Sequence, residues 1–340
     1  MAYTTVNKST DYFNTKLYTG NNSTNAQTGV GFQPDLIWFK RRDSGAQHSL
    51  FDSVRGVTKA VSSNLSGAQY TVSDALTSFD SDGFTLGADS NNYINLNSAT
   101  YASWNWKAGT ASGISAGSQT ITPSAYSINA TAGFGIYKWS RTGASTTDYF
   151  SHGLGVTPTI AIQKRTDDVQ DWYVNTTIID GTNDNLHLNK TDAKEDDSTT
   201  VPTSTNYYPK SPETGDYITY LFAPIKGFSR FGSYTGNGNA NGPFIFTGFK
   251  PAMVIYKKSS GTENWFIHDN KRQGYNPENE LLFPDLSNAE ATDNRIDLIS
   301  NGFKVRSSDA GINDGSATYI YMAFAEAPLV GSNNIPVIAR

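Results

Sequence analysis

Cysteine is absent from all 340 residues. That excludes disulfides, thiolate metal sites and thiol catalysis, and it ties the fold to no redox compartment. Charge is scarce at 17%, and acidic residues lead, giving a net charge of −5. Without a basic field there is little to neutralise phosphates, so no nucleic-acid partner is expected. No apolar run reaches the length of a membrane span, and residues 1–8 hold no apolar stretch of the signal-peptide kind. The expectation is a protein made soluble in a cytoplasm, with no membrane insertion. Only four histidines occur, and none has the spacing of metal ligands. Motifs for serine nucleophiles, phosphate loops and zinc proteases are also missing.

What is present is polar, uncharged and aromatic. Thirty Asn and 30 Gly stand beside 19 Tyr, 18 Phe and 6 Trp. Aromatics at this level argue against disorder, and the mixture favours short strands joined by tight turns.

The chain also resembles itself. Three segments read Gly, an apolar residue, any residue, Pro, then a strand ending in Lys: Gly31–Lys40, Gly155–Lys164 and Gly248–Lys257. Eight to ten residues later come His48-Ser49-Leu50-Phe51-Asp52, Trp172-Tyr173-Val174-Asn175-Thr176 and Trp265-Phe266-Ile267-His268-Asp269. A closing strand follows in each: Tyr101–Trp106, Tyr217–Phe222 and Tyr319–Phe324. The first and third also share Ser81-Asp82-Gly83-Phe84 and Ser300-Asn301-Gly302-Phe303. Such long periods define domains rather than solenoid repeats.

The expected fold is therefore all-β, with three tandem β-sandwich or jelly-roll-like lobes. The first spans 1–109. The second spans 110–229 and opens with a Gly/Ser linker. The third spans 230–340 and ends in a C-terminal tail. The first lobe is expected to be hinged and the other two closely packed.

Period-two alternation assigns Trp104, Trp106, Tyr220, Phe222, Met322 and Phe324 to the core. It leaves Tyr101, Ser103 and Asn105 on a solvent face. The Pro-led strands are apolar on both faces, so they should be covered on both sides. Pro34, Pro158 and Pro251 should each begin a strand. Asp82-Gly83, Asn301-Gly302 and Asp314-Gly315 read as hairpin turns.

Candidate chemistry is thin. The histidines fit packing roles better than catalysis. Asp80-Ser81-Asp82-Gly83 hints at a calcium loop, but its counterpart in the third segment keeps the turn and loses the carboxylates. Glu195-Asp196-Asp197 reads as a solvated loop. Trp139, Trp172 and Trp265 are candidate sugar platforms, with core packing the better reading. No residue is assigned as catalytic, cofactor-binding or metal-binding, no cofactor is implied, and no enzyme activity is expected.

The opening Met1–Gly20, Gly31–Trp38, Phe51–Gly56, Ser81–Gly87 and Tyr319–Pro328 together resemble virion structural proteins of tailed bacteriophages, of a type common in marine phage genomes. The resemblance is clear in the first and third segments and faint in the second. It implies a virion location after synthesis in the host cytoplasm. Implied partners are other virion proteins of the capsid or tail, and sister subunits. Decoration or reinforcement of the head is favoured over a tail protein that binds receptors by recognising host surface glycans. At least one terminus is expected to serve as a docking arm to another virion protein or a sister subunit; the tail 331–340, with Ile335, Val337 and Ile338 in alternation, either adds to a neighbour's sheet edge or folds back on its own third lobe.

Overall fold

A computed structural model describes residues 4–114, 119–143, 147–210 and 213–328. Its regular structure is nearly all strand; among the described residues the helical pieces are two single turns, Ser9–Asp11 and Ala310–Asn313. All the pairing described is antiparallel.

Each repeat contributes one large sheet with the same four strands in the same order. The first runs Phe13–Thr19, Thr100–Trp106, Leu36–Arg41, Ser49–Asp52, with two short strands added. The second places Phe134–Arg141, Gly215–Phe222, Ile160–Arg165 and Tyr173–Thr176 likewise. The third has Ser229–Thr235, Thr318–Pro328, Phe249–Lys258 and Trp265–Asp269. Even the register repeats. Leu36 faces Trp106 and Trp38 faces Trp104; Ile160 faces Phe222 and Ile162 faces Tyr220; Met253 faces Phe324 and Ile255 faces Met322.

A smaller sheet covers the outer face of each large one. It has three strands in the first segment, two in the second and four in the third. The second lacks the Ser-x-Gly-Phe hairpin the other two share, and its small sheet is the slightest. The outer layers enclose separate apolar cores, around Phe39 and Phe84, Trp139 and Phe150, and Tyr256 and Phe303.

This layering corrects one expectation. Tyr101, Ser103 and Asn105 are fully buried rather than solvated. Tyr101 stacks on Tyr18 in the outer core, and Asn105 donates to the Asn14 carbonyl along the sheet. Polar residues on one strand face had suggested water; here they serve strand-to-strand hydrogen bonds under a second layer. The Pro-led strands are covered on both sides, as their two apolar faces required.

Pro34 and Pro158 stand just before their strands, whereas Pro251 lies inside Phe249–Lys258, at a register shift. A bulge tolerates the missing donor there. The Ser81-Asp82 and Ser300-Asn301 turns do close two-residue hairpins. Asp314-Gly315 instead follows the single helical turn Ala310–Asn313. The tail 331–340 lies outside the described residues.

Candidate functional site

The inner faces of the three large sheets meet in one common core. At its centre Trp106, Phe222 and Phe324, the same repeat position three times, form a near-equilateral triangle of rings. Their centroids are 6.3, 5.6 and 5.9 Å apart, in edge-to-face contacts. The chain thus has a threefold pseudo-symmetry within a single polypeptide. The hinge expected after the first lobe is not what the contacts describe: the first sheet shares this core equally with the other two.

Around that centre the segments clasp one another in a ring, always in the same sense. Each Pro-led hairpin reaches into a five-residue stretch of the preceding segment, the first reaching into the third. These loops are Ser62–Ser66, His187–Thr191 and Phe283–Ser287. At the loop's first residue, the carbonyl accepts a ring N–H. His48 Nε2 donates to Phe283 (2.9 Å), Trp172 Nε1 to Ser62 (2.8 Å) and Trp265 Nε1 to His187 (2.9 Å). The fifth residue's carbonyl accepts a buried ammonium. Lys40 donates to Ser287 (3.2 Å), Lys164 to Ser66 (3.1 Å) and Lys257 to Thr191 (3.2 Å). The same carbonyl takes the amide of Ala46, Gln170 or Glu263. In return, the amides of Glu290, Gln69 and Lys194 bond the carbonyls of Arg42, Thr166 and Ser259. Four hydrogen bonds therefore recur at each of three junctions.

The middle residue of each loop ties it to its own segment. Asn64, Asn189 and Asp285 accept the amides of His48, Trp172 and Trp265 through Oδ1. Asn64 and Asn189 also donate Nδ2 to the residue just before that amide, Gln47 or Asp171. Asp285 has no amide group to donate from, and its Oδ2 is buried without a partner. Burial pushes its pKa up to about 7. Burial likewise lowers Lys40, Lys164 and Lys257 to about 8. His48 accepts from Trp38 Nε1 at Nδ1, so its proton sits on Nε2, and burial holds its pKa well below the usual value.

Two junctions carry a further buried cluster. Asp269 forms a buried ion pair with Arg272 and accepts Trp104 Nε1 at 3.0 Å. Asp52 pairs in the same way with Arg55 and accepts the Tyr220 hydroxyl at 2.8 Å. In the remaining junction both halves of this device are missing together. The closing strand has Met322, which cannot donate, and the acid's position is Thr176. Arg42 adds a contact between the first and third segments, gripping Glu290 (2.7 Å) and Glu280 (2.9 Å). The arginines hold Glu290 down at about 2, and sharing a hydrogen bond with it raises Glu280.

The candidate residues named from the sequence fall into this framework. Trp139, Trp172 and Trp265 are all buried, so none is a sugar platform. Asp82 accepts the amides of Gly29 and Gly31 (2.9 and 2.7 Å), and Asp80 accepts the Thr85 hydroxyl. Gly83 has φ 148°, and a Cβ there would lie 1.9 Å from the Gln27 carbonyl oxygen, which explains the glycine of this hairpin. Among the described residues no group of three or more His, Asp or Glu is placed to hold a metal. Glu195-Asp196-Asp197 is only partly a solvated loop: Glu195 and Asp196 form a short strand, and Asp197 is buried, accepting Asn175 Nδ2 at 2.9 Å. His152 and His268 are buried, with His152 bonded to the Leu154 amide and the Thr203 carbonyl. His187 packs on Tyr173.

Fold and site together define an all-β protein organised as a ring of three clasped antiparallel sheets. Residues 8–328 match the family described as a domain of unknown function, DUF7483, and the chain belongs to that family. The match runs through all three repeats. No curated protein and no solved structure matches it.

Proposed function

We propose that this protein is a structural component of a tailed-phage virion surface, decorating or reinforcing the particle, with no catalytic role. The observation that carries the reading is the recurrent clasp. The ring nitrogens, ammonium groups and carboxylates that the fold buries between segments are spent on joining them. Each hydrogen bond contributes about 1 kcal/mol net, and four recur at each junction. Such a body suits mechanical service outside the cell, and it joins the sequence resemblance to virion proteins. A cryo-EM map of purified particles labelled through this protein tests the reading. Density on the head, and particles that lose heat resistance without the protein, are expected. Its absence from purified particles would contradict the proposal.

One observation favours the second reading, glycan recognition by a tail protein. Tyr275 is 69% exposed, next to a polar cleft of about 470 Å³ lined by Asn276, Asn294, Asp297 and Arg306. An aromatic face beside amide and charged groups is the chemistry that holds sugars. Glycan-array binding lost in Tyr275→Ala would support it, and an empty array would remove it.

A further inference from the structure

The repeats serve as internal controls for one another, and one seam differs sharply between them. In the first segment the outer edge strand Asn25–Thr28 lies beside Phe13–Thr19, the edge strand of the large sheet. The seam between the two is laced. Asn14 Nδ2 donates to the Val30 carbonyl (3.0 Å) and Asn25 Nδ2 to the Thr19 carbonyl (3.1 Å). In the third segment the corresponding edge strands are Phe244–Phe246 and Ser229–Thr235. Their register puts Arg230 where the first segment has Asn14, and Pro243 where it has Asn25. Pro243 has no side-chain donor, and the Arg230 guanidinium lies 5.8 Å from the Phe246 ring centre. The seam opens there into a cleft of about 460 Å³, bordered by Lys226, Arg230, Phe231, Phe246 and Thr247. Two positive charges stand on its lining and no carboxylate does.

The backbone at this edge is aimed as well. The Thr247 amide donates to the Asn301 carbonyl and the Val305 amide to the Pro243 carbonyl, both at 3.0 Å. Pro243 and Thr247 therefore hold hydrogen-bonded positions of this antiparallel pair, and Ile245 between them shares their phase. The N–H and C=O groups of Phe244 and Phe246 point away from that partner, towards the open edge. Ile245 is buried in the outer core, while Phe244 and Phe246 are 46% and 51% exposed. Ala26 and Thr28 stand at those two positions in the first segment, so the fold does not require aromatic rings there. Unpaired apolar edges are a hazard that proteins normally cover or charge.

We propose that this seam takes an extended acidic segment of another protein, which adds as a strand along Phe244–Phe246. Backbone hydrogen bonds hold the segment, its apolar side chains cover the exposed rings, and its carboxylates pair with Arg230. Donors and acceptors at strand spacing match a peptide backbone rather than a sugar ring. The inference is independent of any virion role.

Short synthetic peptides that alternate Val with Glu, or Val with Lys, probe the seam on the full chain. The Val-Glu peptides are expected to bind and the Val-Lys peptides are not. Arg230→Asn and Phe246→Thr install the residue that the first segment has at each position, so the fold accommodates both. Each should weaken Val-Glu binding about tenfold. Hydrogen exchange at the Phe244 and Phe246 amides should slow in the complex. Val-Glu peptides that do not bind, that bind both variants unchanged, or that leave this exchange unaltered would overturn the proposal. Equal binding of the Val-Lys peptides would do the same. A polygalacturonate fragment that binds where the peptides do not, and is lost in Arg230→Asn, would reassign the seam to an anionic glycan and overturn it too.

Discussion

At the scale of single residues, the repeat exposes which side chains answer a shared requirement and which depart from it. Asp285 departs. Its counterparts Asn64 and Asn189 make the same Oδ1 bond and also donate from Nδ2. An ordinary aspartate titrates near 4, whereas burial moves this one to about 7. Below both values the carboxyl is neutral whether the chain is folded or not. Between them the unfolded chain gives up its proton and the folded chain keeps it, so stability falls as pH rises through this window. Asp285→Asn should remove that dependence. Its new amide can face Asn264, which occupies the position of Gln47 and Asp171. The variant should be more stable than the parent by about 1–2 kcal/mol at pH 8, with the gain shrinking towards pH 4. Denaturant unfolding at the two pH values checks this; an equal difference at both would contradict the titration argument. Trp106 is a second case. It is 2% exposed and touches Phe13, Phe222 and Phe324. Trp106→Ala should cost about 3–5 kcal/mol through lost burial and a cavity where three sheets meet. A loss below about 1 kcal/mol would place the centre of the core elsewhere.

At the scale of elements, the equivalence of the junctions can be measured. Trp172→Phe and Trp265→Phe each delete one ring N–H and leave the carbonyl of Ser62 or His187 with only the long turn bond (3.3 Å) from the Leu65 or Lys190 amide. Each should cost about 1–3 kcal/mol, and by similar amounts. Markedly unequal losses in denaturant unfolding would mean that the two junctions do not carry the same load. These elements also mark what the sequence made legible. The closing strands and Pro-led strands stood out because burial on a sheet face constrains side chains at every second position. Their inward sets, Trp104 and Trp106 with their counterparts, were readable from alternation alone. The clasp loops were not, because most of what recurs in them is carbonyl groups, which any residue supplies. Their only trace is Asn or Asp followed two residues later by Ser or Thr: Asn64 and Ser66, Asn189 and Thr191, Asp285 and Ser287. The lysine ending each Pro-led strand was visible, but its length lets it serve water or a carbonyl equally well. Ser103 and Asn105 misled for a related reason: small polar residues look alike whether they face solvent or a covering sheet.

At the scale of the whole molecule, three sheets make one body. Each sheet has an outer core of its own, yet its inner face is complete only against the other two. The first segment clasps the third, the third clasps the second, and the second clasps the first. No segment can leave without baring its inner face and breaking two of the three junctions. Differential scanning calorimetry of the full chain tests this most directly. A single transition whose calorimetric and van't Hoff enthalpies agree is the result expected of one cooperative unit. Separate transitions, above all an early one confined to the first segment, would contradict the closed ring.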